Sequence, residues 1–497
     1  MTRRIAALIL AFITMVTCIA FPYNNVEAAE NKNIATANEL VNQIRVGINI
    51  GNSLDSCVEN SKRNSTSDSK YYETAWHNPV ISQKLIDSVK AAGFNAVRIP
   101  VTWYYNTYVN DQGQLIVNNS WLKRVSEVVD YCISKDMYVI LDSHHDHEII
   151  WAGLKQVNQV SNNVVQLWTQ IAYYFKDYDQ HLIFEGFNEI NTKNNSWTYN
   201  KNAVMVTNTL NQLFVSTVRM MGSNNAKRFL ICGTYLHGVE QKTLDGFVLP
   251  TDTIDNHLII AVHSYDTAYD QGIDSLFNKL QKFSQKTGAP VIIDEFGTLD
   301  SYQPATLRAV HAGNFVSRAA ETGIKCFWWD DGGNYALFDR NTGNVTRRDI
   351  VDKIMSPVKY QTSSISSITY NSVNDYVYNS IDSKNGSFIN WEKGALTLNT
   401  NGTGMAVTPG ITYKIKLINE GESSGLCMNG VAFYDANGAF VSFTKPTDTT
   451  NFSIMAPQGA AYMRVTFYNP WNVRSIADYI GYIEKGLAYL SIEGMII

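Results

Sequence analysis

Hydrophobic residues follow two recurring patterns between Arg45 and Ile354. Short apolar runs rich in β-branched residues predict strands, and the longer stretches between them carry apolar residues at the spacing of an amphipathic helix. Strands and helices that alternate in this way are typical of a parallel sheet covered by helices. The eight predicted strands are Arg45–Ile50, Phe94–Ile99, Met137–Leu141, Leu182–Phe187, Phe229–Cys232, Leu258–Val262, Val291–Ile293 and Ile324–Trp328.

Glycines mark the ends of several predicted helices. Gly93, Gly288 and Gly323 follow three of them, and glycine is common there because it adopts left-handed backbone conformations at little cost. Eight strands with covering helices in about 300 residues predict a closed (β/α)8 TIM barrel rather than an open doubly wound sheet. The predicted helices are Ile81–Ala92, Trp121–Lys135, Val164–Phe175, Asn202–Met221, Ile273–Lys286 and Thr306–Thr322.

The pattern changes after Ile354, where a serine-rich stretch leads into short segments of alternating polarity. The turn sequence Asp435-Ala-Asn-Gly438 between two such segments predicts a hairpin. We therefore expect a small all-β sandwich domain after the barrel. The predicted strands are Ala395–Asn399, Tyr413–Ile418, Gly430–Tyr434, Ala439–Phe443 and Tyr462–Tyr468.

The N-terminus has the pattern of a secretory signal peptide. Arg3 and Arg4 precede an apolar run from Ile5 to Phe21, and alanines at 28 and 29 offer a cleavage site. An uncleaved anchor is the alternative, but no later segment reaches the ~20 apolar residues that span a bilayer. The expected organisation is a signal peptide at 1–29, a barrel domain at 30–357, a short serine-rich linker at 358–369 and a β-sandwich at 370–497.

Composition narrows the class of partner. The 497 residues are 45% hydrophobic and 12% aromatic, with a formal net charge of −5 and no basic block. This balance argues against a nucleic-acid surface or a membrane-binding helix, and leaves an uncharged polymer possible. The cysteines after the signal peptide are odd in number and scattered, so they form no disulfide framework. We expect a monomer without a cofactor.

Two predicted strands are each followed by a glutamate. Glu189 ends the sequence Phe187-Asn-Glu189, and Glu295 lies in Ile293-Asp-Glu-Phe-Gly297. In a (β/α)8 barrel, reactive residues lie at the carboxyl ends of the strands, where they meet both substrate and water. Two carboxylic acids that face one bond can hydrolyse a glycosidic linkage, because one donates a proton while the other attacks carbon or activates water.

Other polar and aromatic residues also follow the predicted strands. No glycine-rich phosphate motif opens the first unit, which argues against a nucleotide enzyme. The polar signals gather at one end of the sheet, whereas residues with only structural roles would be spread over both faces and the helices. The candidate site residues, in addition to the two glutamates, are Asn52, Arg98, His144, His145, Asn188, His263, Tyr265 and Trp329.

These motifs resemble the cellulase family, glycoside hydrolase family five, and most of all its endoglucanase and xyloglucanase branch. One departure is Ile190, where many relatives have proline. The resemblance implies a retaining mechanism in which Glu189 is the acid/base and Glu295 is the nucleophile. The matching stretches are Gly47–Asp55, Asn95–Pro100, Leu141–His145, Phe187–Glu189, His263–Tyr265, Ile293–Gly297 and Phe327–Asp330.

The chemistry of each role sets expectations of its own. The two carboxyl groups must lie roughly 5 to 5.5 Å apart for retention. Glu295 must stay ionised, for which Arg98 and Tyr265 are the candidate partners. Glu189 should keep its proton near neutral pH. Asn188 could donate a hydrogen bond to the sugar 2-hydroxyl, and the histidines at 144, 145 and 263 could donate to other hydroxyls.

Several residues have alternative interpretations. The stretch His144-His-Asp-His147 could bind a metal, but consecutive side chains of an extended segment point to opposite sides. Glu185 could be a rival acid or a buried carboxylate inside the barrel. Only one of Trp328 and Trp329 can form a floor for a sugar ring, and the resemblance favours Trp329.

Further aromatic residues have two possible roles that the sequence does not distinguish. Those that follow barrel strands could line sugar subsites or pack within loops. Those of the C-terminal domain could bind polymer or belong to its core. The two sets are Trp103, Trp151 and Trp197 in the barrel, and Tyr434, Phe443, Tyr468 and Trp471 in the C-terminal domain.

The sequence therefore predicts a secreted retaining endo-β-1,4-glucanase that acts on a β-glucan polysaccharide. Mannanase, xyloglucanase and mixed-linkage glucanase (lichenase) activities remain alternatives, because loops set specificity. A non-catalytic carbohydrate-binding protein on the same barrel is the alternative from a different class.

Overall fold

The computed structural model describes the barrel region at residues 34–265, 272–299 and 305–355. The chain divides into two compact units between Lys359 and Tyr360. The predicted signal peptide and most of the predicted linker lie outside the described residues. In the C-terminal region the described residues are 368–370, 372–389, 395–399, 402–407, 409, 412–419, 425–470, 475–485 and 487–495.

The first unit is a closed barrel of eight parallel strands in which each strand pairs with its neighbours in sequence. All eight predicted strands are present, with ends shifted by a few residues, and the expected TIM barrel is confirmed. A short hairpin, Thr107–Val109 and Leu115–Val117, follows the second strand. The barrel strands are β1 Gly47–Ile50, β2 Ala96–Ile99, β3 Tyr138–Leu141, β4 Leu182–Glu185, β5 Leu230–Gly233, β6 Leu258–Ser264, β7 Val291–Phe296 and β8 Lys325–Asp330.

Helices surround the barrel. Their apolar faces pack on the outer side of the strands, as the helical spacing predicted. Gly93, Gly288 and Gly323 have positive φ angles of 107°, 75° and 74°, which agrees with their predicted place at helix ends. The helices that follow the eight strands are α1 Gln83–Ala91, α2 Asn119–Ile133, α3 Val157–Tyr174, α4 Lys201–Met220, α5 Gln241–Gly246, α6 Ile273–Thr287, α7 Ala305–Thr322 and α8 Arg348–Met355.

The barrel interior is apolar at its base. A short helix, Ala37–Gln43, packs there against inward-facing residues of the strands, including Ala96, Ile140 and Ile183. Side chains of a strand alternate between its two faces, so the residues two positions further along face the same interior, nearer the mouth. The composition of that second layer determines what the barrel can bind.

Strand β7 contains an irregularity that affects the mouth. Its register against β6 shifts after the pair Val262 and Ile293, so that His263 lies opposite Glu295 rather than Asp294. Its register against β8 shifts at the same place. A β-bulge of this kind inserts one extra residue and re-aims the side chains around it. Two consecutive acidic residues therefore both face the barrel interior.

Strands make up most of the described part of the second unit, which agrees with the predicted all-β domain, and one α-helix accompanies them there. Its two larger antiparallel sheets enclose a separate apolar core, and the hairpin at Asp435–Gly438 is present. The helix was not predicted, nor were the strands at 368–370, 376–377, 380–381, 388–389, 405–406, 451–455 and 488–495. The elements are β9 Ile368–Tyr370, β10 Tyr376–Val377, β11 Ser380–Ile381, β12 Phe388–Ile389, β13 Leu396–Leu398, β14 Met405–Ala406, β15 Thr412–Asn419, β16 Cys427–Tyr434, β17 Phe440–Thr444, β18 Asn451–Met455, β19 Tyr462–Tyr468, α9 Ile476–Glu484 and β20 Ala488–Met495.

Three of the aromatic residues singled out in this unit are described. Tyr434 is buried and its hydroxyl donates to the Gly386 carbonyl, so it belongs to the fold rather than to an open surface. Phe443 and Tyr468 are half-buried, and Trp471 lies outside the described residues. Across the described part of the chain, the longest apolar helical stretches fall short of what a membrane crossing requires.

Candidate active site

Charged and polar side chains fill the layer above the apolar base of the barrel. Arg98 lies two residues beyond Ala96, Glu185 two beyond Ile183, and the equivalent positions on the other strands continue the layer. Apart from Trp329, these side chains are almost completely buried. The layer consists of Asn49 on β1, Arg98 on β2, Asp142 just after β3, Glu185 on β4, His263 on β6, Asp294 and Glu295 on β7 and Trp329 on β8.

Arg98 is the centre of this layer. Burial alone lowers the pKa of Arg98, but the negative charges of Glu185, Asp142 and Asp294 raise it well above the ordinary value. The guanidinium is therefore a permanent positive charge inside the barrel. Its nitrogens contact Glu185 Oε2 at 2.6 Å, Glu185 Oε1 at 2.8 Å, Glu295 Oε1 at 2.7 Å, Asp142 Oδ2 at 2.9 Å, and the side-chain oxygens of Asn49 and Asn188 at 3.0 Å each.

Glu295 is held by two donors. Arg98 donates to one carboxylate oxygen and the Tyr265 hydroxyl donates to the other at 2.7 Å. Burial and the charge of Glu295 raise the pKa of the Tyr265 phenol, which therefore keeps its proton and donates. These are the two partners that the sequence suggested for Glu295. Each oxygen accepts a hydrogen bond, so the carboxylate is fixed in orientation.

Glu189 lies directly across from Glu295. One carboxylate oxygen of each, together with a ring nitrogen of His263, falls in a group whose atoms all lie within 4.8 Å of one another. Glu189 adopts a positive φ of 40°, which is unfavourable for a side chain of this kind. Its backbone N–H donates to His237 Nδ1 at 2.9 Å, and this bond helps to hold the strained turn.

The protonation of Glu189 differs from the sequence expectation. Burial raises the pKa of Glu189, but the hydrogen bond to His263 and the charge of that histidine outweigh it and lower the pKa to about 2. His263 Nδ1 lies 2.8 Å from Glu189 Oε1. The expectation of a protonated Glu189 near neutral pH is wrong for the free site, because the sequence did not show that a histidine would contact it.

His263 takes up the proton instead. Burial alone lowers the pKa of His263, but the charge of Glu295 and the contacts with Asp294 and Glu189 raise it well above the ordinary value. The surroundings of His263 explain this direction, because three carboxylates approach its ring nitrogens. Glu189 Oε1 lies 2.8 Å away, Asp294 Oδ1 3.4 Å and Glu295 Oε2 3.5 Å.

Three further candidates line the same mouth. The Asn188 oxygen accepts from Arg98, which leaves its amide nitrogen free to act as a donor. Burial lowers the pKa of His144 to about 3, so the ring is neutral, and its Nδ1 contacts Asp142 at 2.7 Å. Trp329 is half-buried and stacks on His144 with 5.7 Å between ring centroids and 6° between planes. Trp328, in contrast, is fully buried.

His145 and Asn52 lie further out. His145 is half-buried, and its ring packs 5.5 Å from that of Trp76, which is 37% exposed. Asn52 is a loop residue with φ 56°, and its backbone bonds to Asp55 and Asn78. The contacts described for Asn52 do not involve either catalytic candidate, so its binding role stays a prediction.

The other tryptophans after barrel strands separate into two groups. Trp103 and Trp151 are 0% and 3% exposed and belong to the core, so neither can form an open sugar platform. The Nε1 of Trp103 donates to the Asp142 carbonyl at 2.9 Å. Trp197 is 59% exposed and stays a candidate for a distant subsite.

A metal site was the alternative interpretation of the histidine run. Asp55, His144 and His145 bring one ligand atom each within 4.8 Å. The Asp55 carboxylate accepts backbone N–H bonds from Asn52 and Ser53 at 3.0 and 2.7 Å. The Nδ1 of His144 contacts Asp142. These contacts shape the loop, and the expectation that no metal binds here stays a prediction.

Sequence reasoning missed four residues of the site. Asn49, Asp142 and Asp294 lie within or beside predicted strands, and the alternation of inward-facing positions could have identified them. His237 comes after β5, the one strand to which no candidate was assigned. Its ring lies 4.2 Å from that of His263. Leu236 and His237 both have positive φ angles, and this backbone conformation brings the His237 ring next to His263. The local sequence does not predict these angles.

Comparison with known proteins agrees with this geometry. The model of the Cellulase family (glycosyl hydrolase family 5) matches residues 58–334. The chain belongs to this family. The resemblance read from the sequence motifs is thereby confirmed, as is the expectation of a cellulase-type glycosyl hydrolase at the level of the family.

Relatives within family 5 include named endoglucanases. Endoglucanase A of Clostridium longisporum is 35% identical over 353 residues, which cover 65% of this chain and 66% of that protein. The chain thus spans slightly less than two thirds of that relative.

The matches to solved family 5 structures extend over nearly the whole of those chains. A GH5-4 broad specificity endoglucanase from Ruminococcus champanellensis with bound cellotriose has a TM-score of 0.61 and 34% identity, covering 67% of this chain and 100% of that one. A lichenase variant from Caldicellulosiruptor sp. F32 in complex with cellotetraose has a TM-score of 0.60 and 32% identity, covering 68% and 99%.

Proposed function

We propose that this protein is a retaining endo-β-1,4-glucanase with Glu295 as nucleophile and Glu189 as acid/base. The observation that carries the proposal is the pair of carboxylate oxygens within 4.8 Å at the barrel mouth. Retaining enzymes place their two carboxyl groups about 5 to 5.5 Å apart, whereas inverting enzymes leave about 6.5 to 9.5 Å for a water molecule. The spacing therefore favours the retaining arrangement.

In the first step, a Glu295 oxygen attacks the anomeric carbon as the glycosidic bond breaks. Arg98 and Tyr265 each donate to one oxygen of Glu295 and hold the carboxylate in position. The departing oxygen takes a proton from Glu189, and the sugar remains bound to Glu295 as an ester. The Asn188 amide donates to the sugar 2-hydroxyl, an interaction that strengthens as positive charge develops on the ring.

In the second step, water attacks the same carbon and Glu189 accepts its proton. The ester bond to Glu295 breaks, and the carboxylate returns to its two donors. Because carbon is attacked twice from opposite sides, the product keeps the configuration of the substrate. The half-buried ring of Trp329, stacked on His144, provides an apolar floor beside the reacting sugar.

The substrate class rests on family 5 relatives. One is described as a broad specificity endoglucanase with bound cellotriose and another as a lichenase in complex with cellotetraose. A β-glucan with 1,4-linked glucose units is the class consistent with both names. Mixed-linkage glucan is the second candidate, since the match to the lichenase extends over 99% of the lichenase chain. Product analysis on cellulose, mixed-linkage glucan, xyloglucan and mannan distinguishes these substrates.

The test of the mechanism uses Glu189→Ala. We expect a loss of about 10²–10⁴-fold on β-glucan polymer, but a much smaller loss of the glycosylation rate on an aryl β-cellobioside with a good leaving group, which needs little protonation. Azide should restore turnover on the aryl substrate and give a β-glycosyl azide. Glu127→Ala, on the outer face of α2 with its side chain 52% exposed, is the matched control.

Three results would reject the proposal. Equal losses on polymer and aryl substrate would remove Glu189 as the acid/base. Proton NMR that shows the α-anomer as the first product would exclude retention. If wild-type protein binds β-glucan without releasing reducing ends, the non-catalytic binding alternative is correct.

Secretion is a separate part of the proposal. It rests on Arg3 and Arg4, the apolar run that follows them and the alanines at 28 and 29. Mass spectrometry of the protein recovered from culture medium should find an N-terminus near residue 29 or 30. Recovery of the intact chain in the membrane fraction would contradict it.

A further inference from the structure

Asp294 is a buried carboxylate for which the mechanism above has no use. It directly precedes Glu295, and the bulge in β7 turns both side chains toward the barrel interior. Its side chain is 0% exposed, and its Oδ1 lies 3.4 Å from His263 Nε2. Its Oδ2 lies 3.6 Å from Arg98 Nε. Removing a carboxylate from water is costly, so a position like this requires compensation from neighbouring charges.

His263 connects Asp294 to Glu189. One ring nitrogen, Nδ1, lies 2.8 Å from Glu189 Oε1, and the opposite nitrogen, Nε2, faces Asp294. The identity of the proton-bearing nitrogen in a neutral histidine is set by what its other nitrogen contacts. A carboxylate beside Nε2 favours a proton on Nε2, which leaves Nδ1 as the nitrogen that gains and loses a proton.

We propose that Asp294 is a positioning residue that fixes the tautomer of His263, so that His263 Nδ1 stores the proton that Glu189 delivers to the leaving group. This inference rests on the proposed function, because it requires Glu189 to be the acid/base. It deepens that function by assigning the source of the proton.

The proton balance is simple. In the free site His263 is an imidazolium and Glu189 is a carboxylate. As substrate displaces water, the Nδ1–H bond breaks with its electron pair left on nitrogen, and an O–H bond forms on Glu189. The carboxylic acid then protonates the departing oxygen, which keeps the electron pair of the broken glycosidic bond. In the second step Glu189 takes a proton from the attacking water, and His263 recovers it.

Other titratable groups around His263 also affect the proton that it shares with Glu189. Glu295 Oε2 lies 3.5 Å from Nδ1 and stabilises the imidazolium until Glu295 becomes an ester. Loss of that charge in the first step favours transfer of the proton toward Glu189. The His237 ring packs against His263, and its Nε2 faces Glu185 Oε1 at 3.3 Å. Because His237 Nδ1 accepts the Glu189 N–H, a neutral His237 carries its proton on Nε2.

The first experiment compares the pH dependence of kcat/KM for wild type and Asp294→Asn. The alkaline limb marks loss of the shared proton of Glu189 and His263. Since the Asp294 charge favours the protonated pair, its removal should move this limb to lower pH by about one unit. Asp252→Asn is the matched control, because Asp252 is also a buried aspartate paired with an arginine, Arg219, outside this layer.

An unchanged alkaline limb in folded Asp294→Asn would overturn the proposal, and so would an equal shift in Asp252→Asn. The Glu189→Ala experiment separates the two levels of inference. If Glu189→Ala behaves as a lost acid/base while Asp294→Asn keeps the wild-type limb, only the role of Asp294 fails. If Glu189→Ala retains full polymer activity, the proposed function itself fails.

A second measurement needs no Asp294 variant. In wild-type protein labelled with ¹⁵N-histidine, the His263 signals are identified by their loss in His263→Gln. We expect Nε2 to stay protonated throughout a pH titration and Nδ1 to lose its proton. A neutral His263 with its proton on Nδ1 and a bare Nε2 would contradict the proposal even if Asp294→Asn fails to fold.

Discussion

Two completely buried arginines lie at opposite ends of the barrel strands and have different partners. Arg98, near the mouth, contacts carboxylates that come from β3, β4 and β7. Arg228, at the base before β5, donates to the backbone carbonyls of Phe175, Tyr178, Asp179 and Leu182. Burial lowers the pKa of Arg228 to about 9, whereas the carboxylates raise that of Arg98.

The comparison separates two uses of a buried charge. Arg228 satisfies carbonyl groups that would otherwise be buried without partners, so its value lies in stability. Arg98 gathers negative charges that repel one another, which is unfavourable for folding unless the arrangement has a chemical purpose. Substitutions at the mouth should therefore lower activity more than stability, and substitutions at the base should lower stability more than activity.

The largest effect is expected for Glu295→Gln. The amide is nearly the same size but cannot form the covalent intermediate, so kcat/KM on β-glucan should fall by about 10⁴-fold or more. The midpoint of thermal unfolding should stay equal or rise, because a crowded negative charge is removed. Release of reducing ends measures the first quantity and calorimetry the second. If Glu295→Gln turns over substrate as fast as wild type, Glu295 is not the nucleophile, and the contrast between mouth and base is wrong.

Matched lysine substitutions of the two arginines test the comparison most directly. Arg98→Lys should lower kcat/KM by about 10²–10³-fold, because a single ammonium cannot contact Glu185 and Glu295 together. Arg228→Lys should lower the free energy of unfolding by about 1–3 kcal/mol, because several carbonyls lose their donors. Its kcat per folded molecule should stay within about twofold of wild type. The reverse pattern would show that the contrast between mouth and base is wrong.

Tyr265→Phe should have a moderate effect. It removes one of the two donors to Glu295 and leaves Arg98 in place. We expect kcat/KM to fall by about 10–100-fold, with a change in the free energy of unfolding below about 1 kcal/mol. Steady-state kinetics and urea unfolding measure the two quantities. The fall in kcat/KM can be converted to a free energy and compared with the change in the free energy of unfolding. If the change in unfolding free energy is the larger, the phenol has a mainly structural role.

Trp76→Ala should have the smallest effect. The exposed ring beside His145 lies at the edge of the mouth, where it can stack on a sugar distant from the cleaved bond. KM for long β-glucan chains should rise about 3–10-fold, while kcat/KM for a short aryl glycoside stays near wild type. Trp197→Ala, at a more exposed tryptophan placed elsewhere, provides a comparison. Equal losses on both substrates would show that Trp76 supports the fold of the loop instead.

The sequence predicted the barrel and the position of the two glutamates at its mouth because the signals are local. Short β-branched runs define strands, and the residue after a run must lie near the mouth. It did not predict the pKa of Glu189, since that depends on a histidine 74 positions away. It also missed His237, whose place depends on unusual backbone angles rather than on hydrophobic pattern.

By itself, the sequence determined which residues form strands, which face of each strand is inward and which side chains end at one rim. The tertiary structure decided which of those side chains meet. Barrel closure brings Arg98 to carboxylates from distant strands, and one extra residue in β7 turns both Asp294 and Glu295 inward. Periodicity is a property of neighbouring residues, whereas charge, proton sharing and contact depend on atoms that only folding brings together.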